Sequence, residues 1–239
     1  MKSLTIIIPV HNEENAIKSV VQELLEVKKR LLVDTDIQAI EILIINDAST
    51  DKSAEIISSF KEIRLISLAV RHGYGGALKT GFANARGDLI AFLDGDRTYP
   101  ASSLIHLYQE LLTRGVSCVI GSRFLAKDNR CNWACRSIGN KIFSTLLSFL
   151  SGRRITDATS GMRIYKKELI PSFLSLPNGF DFIIAMTFRI LFDKIPFSEV
   201  GIPFYPRIGN SKLRILYDGI RFLRTICRMT MRHSLDSRS

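Results

Sequence analysis

Residues 40–46 read IEILIIN, an almost unbroken apolar run. A half-solvated strand alternates apolar and polar side chains. A run like this one belongs instead to a strand covered on both faces, the usual state of a parallel sheet. LTIIIPV (4–10), IRLISLA (63–69), GDLIAFL (87–93) and VSCVIG (116–121) read as further strands. Helical segments separate them. Residues 14–31 carry Ile17, Val20, Val21, Leu24, Leu25 and Val27 on or near one face, and further helices are expected at about 52–60, 74–85 and 101–114. Such alternation predicts an α/β chain, doubly wound, with a mostly parallel central sheet flanked by helices. The second half is less regular: helices are expected at 134–151, 167–175, 180–193 and 213–232, and a strand at 198–205. No internal repeat or low-complexity linker is evident.

Open α/β sheets bind ligands beyond the carboxyl ends of their strands. Three polar clusters fall there: HNEE (11–14), NDASTD (46–51) and DGD (94–96). The topology should gather them into one crevice. Asp94 and Asp96 are spaced to share one hard divalent cation, Mg²⁺ or Mn²⁺, which takes oxygen ligands and keeps places for substrate phosphates. Asp-Gly is also ordinary turn chemistry; its place after an apolar strand favours the functional reading. Asp47 is placed to accept hydrogen bonds from a ribose or base, while Ser49, Thr50 or Asp51 caps the following helix. The glycines of RHGYGGALKTG follow the third strand and not the first, so they do not make a dinucleotide fingerprint. They fit a tight turn and close helix packing, with Arg71 and Lys79 left to face phosphate. Arg123 in GSRF, Arg136, and RIGNSK (207–212) supply further cations, and Arg grips phosphate with two parallel bonds.

The chain has 239 residues, 46% of them apolar, and a formal net charge of +10. That points to anionic partners. From Arg207 onward, eight Lys and Arg stand against two Asp. Arg221, Arg224, Arg228 and Arg232 fall in one helical stripe beside Ile220, Leu223, Ile226, Cys227 and Met231, the pattern of a basic amphipathic helix at a membrane surface. A final helix packed on the domain with a solvated basic face has the same pattern. FSTLLSFL (143–150) is a second lipid-facing candidate. No aromatic-basic interleaving or nucleic-acid motif is evident, so nucleic acid is not expected as a partner. Cys131 and Cys135 lack a zinc-site spacing, which favours a reduced, cytosolic setting. MKSLTIIIPV reads as a first strand and not a signal peptide. No run approaches the ~18 apolar residues of a membrane span.

In order, PVHNEE, NDASTD, GYGGALKTGFANARGD, FLDGDRTYP, GSRF, TDATSGMRIY and GNSKLRILYDGIRFLR resemble the family 2 inverting glycosyltransferases of GT-A fold, over about residues 4–226. The branch they look most like is the polyprenyl-phosphate, or dolichyl-phosphate-like, sugar transferases. The resemblance implies a GT-A catalytic domain at 1–212 and a basic amphipathic helix and tail at 213–239. It implies that Pro9, His11, Glu13, Asp47 and Asp94 line the nucleotide pocket. Asp94 and Asp96 would hold the donor diphosphate through Mg²⁺ or Mn²⁺. Arg123, Arg136, Arg207, Ser211 and Lys212 would hold the acceptor and donor phosphates, with Asp94, Asp96, Arg123 and Arg136 catalytic. The implied reaction moves a sugar (glucose, mannose or similar) from a nucleotide-diphosphate sugar to a polyprenyl phosphate, with inversion, at the cytoplasmic face of a membrane. Chemistry agrees: a phosphate monoester, with a second pKa near ~6, is already a nucleophile at neutral pH and needs no general base. Arginines must then overcome phosphate–phosphate repulsion.

The chain departs from the pattern at Asn46, where many relatives have Asp, at Thr98, where some place a Gln, and at Ala185, where another branch has Glu. Many relatives also carry membrane-spanning helices after the catalytic domain. Their lack in this sequence leads one to expect peripheral attachment, a membrane partner, or a soluble carbohydrate or protein acceptor.

Overall fold

The structure, a computed structural model, describes residues 2–126, 134–209, 212 and 214–236; for 134–137, 215 and 236 it describes the backbone alone. In chain order its strands are β1 (Lys2–Val10), β2 (Ile37–Asn46), β3 (Arg64–Ser67), β4 (Leu89–Phe92), β5 (Cys118–Ser122), β6 (Arg163–Lys166) and β7 (Phe197–Gly201). The helices are α1 (Ile17–Asp34), α2 (Ser53–Ser58), α3 (Tyr74–Asn84), α4 (Ser103–Arg114), α5 (Ala134–Ser151), α6 (Asp181–Phe192) and α7 (Ile215–Asp236). One sheet runs β3-β2-β1-β4-β6-β5-β7. All neighbours pair parallel except β6, which is antiparallel to both β4 and β5.

The central strands are covered on both faces, as their apolar runs require. Side chains alternate along a strand. Leu4, Ile6, Ile8, Ile42 and Ile44 join one core with Ile17, Val20, Val21 and Leu24 of α1. Ile7, Leu43 and Ile45 join the opposite core with Leu78 and Phe82 of α3 and most of α6. The glycines of α3 serve close packing: Gly81 has no room for a Cβ against Ile7, nor Gly75 against Phe182. α4 stops at Gly115, whose φ of +63° closes the helix in the left-handed conformation.

Two expectations change. β6 is not expected from sequence because RIYK is four residues long and opens on an Arg. That Arg163 is fully buried, donating to the carbonyls of Ser160 and Ala158 at 2.9 and 3.0 Å, so it fixes the preceding turn instead of breaking the strand. The helix expected at 167–175 is a 3₁₀ segment, Lys167–Phe173, with Pro171 inside it.

Candidate active site

β1, β2 and β4 end side by side, and the loops after them form a cleft of about 550 Å³ including its open mouth. Pro9, His11, Glu13, Asp47, Arg71, Tyr74, Asp94, Asp96, Phe180, Arg207 and Lys212 are among the side chains that line it. Three left-handed residues, Asn12, Ala48 and Arg97, each follow one of these strand ends by two to five positions. Strained backbone of this kind collects at sites that must be held in one shape.

The first two polar clusters are zipped together. The amides of Asn12, Glu13 and Glu14 donate to Ser49 Oγ, Ser53 Oγ and Asp51 Oδ2 at 3.0, 2.8 and 3.1 Å. Asp51 also accepts the Ser53 amide at 2.9 Å, serving the start of α2 from two residues upstream; Lys52 occupies the cap position. Asn46 is spent on structure, donating to Ser67 Oγ at 3.2 Å and accepting the Ser49 amide at 3.1 Å. Asp47 turns to the cleft, its oxygens held by the His72 and Gly73 amides at 2.6 and 2.9 Å. The His11 ring nitrogen Nδ1 lies 2.8 Å from the Asp47 carbonyl.

Asp94 and Asp96 meet in the cleft with different partners. Tyr74 donates its hydroxyl to Asp94 Oδ1 at 2.7 Å. Asp96 Oδ1 accepts the amide and hydroxyl of Thr98 at 3.0 and 2.6 Å, and Oδ2 lies 3.0 Å from Arg207 Nη1. Thr98 is therefore a brace for Asp96. Burial, with Asp96 repelling it, raises the Asp94 pKa to about 7. A carboxyl so raised binds its proton in the folded chain. Its folded state is favoured at low pH, and that advantage is lost as pH rises from about 4 to about 7. In the metal-free protein, Asp94→Asn should thus gain in melting temperature over wild type from pH 5 to 8. A constant difference across that range would contradict this placement of Asp94.

Arg207 bridges Asp96 and Glu13, and Lys212 Nζ lies 2.6 Å from Glu13 Oε1 and 2.8 Å from the Asn12 carbonyl. Both cations expected at 207–212 thus reach the cleft. Arg123 does not line it. Its Nε and Nη2 pair with Asp157 at 2.7 Å each, Nη2 also donates to Thr159 at 3.0 Å, and Phe204 lies over the guanidinium. Asp157 belongs to a turn held by Glu199, which accepts the Thr156 and Asp157 amides at 2.8 and 3.0 Å. Lys79 donates to the Leu176 carbonyl and is not in the cleft lining. Arg136 is in α5 but its side chain is outside the described atoms, as Ser211 is outside the described residues. Sequence alone does not single out Tyr74, Phe180 or Asp157. No spacing rule joins Phe180 to Tyr74, yet their rings stack with centroids 5.4 Å apart on the cleft wall.

Among the described residues no three His, Cys, Asp or Glu side chains come together as a metal cluster. The Asp94–Asp96 pair nonetheless fits a hard cation. Both are oxygen donors facing a cleft, their mutual repulsion is what a cation relieves, and a guanidinium already neutralises Asp96.

Residues 5–173 match the family model for glycosyl transferase family 2. An undecaprenyl-phosphate 4-deoxy-4-formamido-L-arabinose transferase of Photorhabdus laumondii is 28% identical over 94% of the chain and 69% of its own length. The low-salt glycan biosynthesis hexosyltransferase Agl6 of Haloferax volcanii is 27% identical over 93% of the chain; the match spans about half, 52%, of that protein. In fold the chain is similar to glucosyl-3-phosphoglycerate synthase from Mycobacterium tuberculosis, solved with Mn²⁺, UDP and phosphoglyceric acid. The TM-score is 0.70 at 22% identity, over 94% of this chain and 77% of that one. The expected GT-A architecture is thus the one observed. With a family match over well more than half its length, the chain belongs to glycosyl transferase family 2.

Proposed function

We propose that the chain transfers a sugar from a nucleotide-diphosphate sugar to a polyprenyl phosphate at a membrane surface. One observation carries this: a single cleft holds carboxylates for a nucleotide and a cation, and beside them Arg207 and Lys212 for phosphates. The acceptor class is suggested by the undecaprenyl-phosphate transferase it is similar to.

In this proposal Asp47, with Pro9 and His11, seats the nucleoside. Asp94 and Asp96 hold Mg²⁺ or Mn²⁺, which when bound stabilises the leaving diphosphate. Arg207 and Lys212 exchange their carboxylate partners for phosphate oxygens as donor and acceptor enter. No side chain need act as base, because the acceptor phosphate is anionic at neutral pH. Arg123, with Nε and Nη2 committed to Asp157 and outside the cleft lining, contributes its charge at a distance against phosphate–phosphate repulsion. Arg136 and Ser211 belong to the same phosphate-binding group. Incubation with Mn²⁺, polyprenyl phosphate and labelled UDP- or GDP-sugars should move label into the organic phase; label confined to water across the donor panel would refute the proposal.

The membrane contact has its own support. Leu216, Ile220, Leu223, Cys227 and Met231 form an exposed apolar stripe along α7, opposite the buried Phe222 and Ile226. Arg224, Arg228 and Arg232 are exposed beside it. Ile138, Ile142 and Phe149 are exposed on α5, which meets α7 through the Phe143–Phe222 ring contact. Among the described residues no helix is long and apolar enough to cross a membrane. An apolar stripe flanked by Arg suits the interface of an anionic bilayer. The triple change Leu216→Ser, Ile220→Ser, Leu223→Ser should lower partitioning into phosphatidylglycerol vesicles at least about tenfold without lowering the melting temperature. Unchanged partitioning would shift weight to a soluble acceptor, the class bound in the mycobacterial neighbour.

A further inference from the structure

We propose that Arg221 is a positioning residue for the donor cleft, tying α7 to the aromatic wall made by Tyr74 and Phe180; its bearing on catalysis rests on the function proposed above. By sequence Arg221 belongs to the basic stripe of α7. The structure removes it from that stripe. Arg224, Arg228 and Arg232 are exposed, whereas Arg221 is half-exposed and its Nε lies 2.8 Å from Oδ1 of the buried Asp181. Asp181 is buried at the first turn of α6, and its other oxygen accepts the Thr225 hydroxyl at 2.9 Å. Positions 221 and 225 are one helical turn apart, so α7 grips the start of α6 twice from one face. The Arg221 guanidinium also lies on Gly179, so close that a Cβ there would overlap it. A solvated or lipid-facing Arg needs no buried carboxylate. This one has such a partner, whose charge would be stranded without it.

The gripped segment, 177–182, is packed against the start of α3. The Asn178 carbonyl accepts the Gly76 amide at 3.0 Å. Gly73 and Gly75 have no room for a Cβ against Asn178, Pro177 and Phe182. Phe180 stacks on Tyr74, and Tyr74 donates to Asp94. The preceding amides, of His72 and Gly73, hold Asp47. Arg221 therefore acts on both Asp94 and Asp47 through one layer of packed residues while touching neither.

Hydrogen exchange of the full chain, without substrate, tests this. The variants are Arg221→Ala and Gly179→Ala, with Arg224→Ala as control. The nearest atoms that a Cβ at Gly179 meets are all at the flexible end of Arg221, so Gly179→Ala displaces the guanidinium first. Both test variants should speed exchange of the Gly76 and Ala77 amides by about tenfold or more, with β1 and β2 protection kept and the control unchanged. Wild-type rates at residues 72–77 in both variants, with change confined to α6 and α7, would overturn the proposal. If Arg221→Ala does not fold, Gly179→Ala decides alone. In sugar transfer both should raise donor KM about fivefold with kcat within about twofold. Because exchange is read without turnover, a wild-type chain that transfers no sugar would refute the proposed function and leave the exchange result standing on its own.

Discussion

Asp96→Ala is expected to lower the turnover of sugar transfer by roughly 10³-fold, the scale seen when a main electrostatic stabiliser of a leaving group is lost. Asp96 is the point where three parts of the cleft meet. Thr98 fixes one carboxylate oxygen, and Arg207 meets the other at 3.0 Å. It also sets the charge felt by Asp94. In the proposed site alanine removes a cation ligand, and it takes away the second cause, after burial, that raises the Asp94 pKa. The two effects separate by pH. Mn²⁺ titrated into wild type should bind about tenfold more weakly per unit below pH 7, as the Asp94 proton competes, and with little pH dependence above it. In Asp96→Ala the affinity should be low at all pH, with that break shifted downward. Turnover within about threefold of wild type at saturating Mn²⁺ would remove Asp96 from the cation site.

Asp157→Ala should have the largest effect on stability. The Asp157 side chain is fully buried and faces Arg123 with both oxygens. Burial opposes the Arg123 charge, but Asp157, Tyr99 and Asp94 together outweigh it and keep that guanidinium protonated. Removing the carboxylate leaves the cation without its partner, a loss of about 3–5 kcal/mol. For a chain of this size that is a melting-temperature drop on the order of 10 °C. The turn 156–161 should loosen as well, because Asp157 sits in it between Glu199 and Arg123. Differential scanning calorimetry and the transfer assay read the two consequences separately. A shift below about 2 °C with unchanged kcat would mean that this pair neither holds the turn nor serves the phosphates.

The sequence was most informative where local chemistry decides structure. The runs 4–10, 40–46 and 87–93 have no polar face, so they had to be interior strands, and the polar clusters that follow them had to lie at one sheet edge. The glycines of α3 were legible as packing positions for the same reason: their neighbours in sequence leave no other use for them. Contacts between distant segments were not legible. Arg123 and Asp157 are 34 residues apart with α5 between them, and only the antiparallel insertion of β6 brings the turn before it against the end of β5. Residue type suggested a phosphate ligand at Arg123 and a surface charge at Arg221, but each Arg found a buried carboxylate first. The pairing of Tyr74 with Phe180 likewise depends on how α6 lies against α3, which no local period encodes.

The acceptor is the centre of the functional proposal, and a comparison of acceptors tests it most directly. The full chain would be given one labelled donor, chosen by thermal shift with Mn²⁺, and three acceptors in parallel: polyprenyl phosphate, the matching polyprenol without phosphate, and 3-phosphoglycerate. A nucleophile that is anionic without a base, drawn to Arg207 and Lys212 and delivered by a lipid tail, predicts a labelled product from polyprenyl phosphate alone. Transfer to 3-phosphoglycerate with none to polyprenyl phosphate, or equal transfer to the free polyprenol, would contradict it.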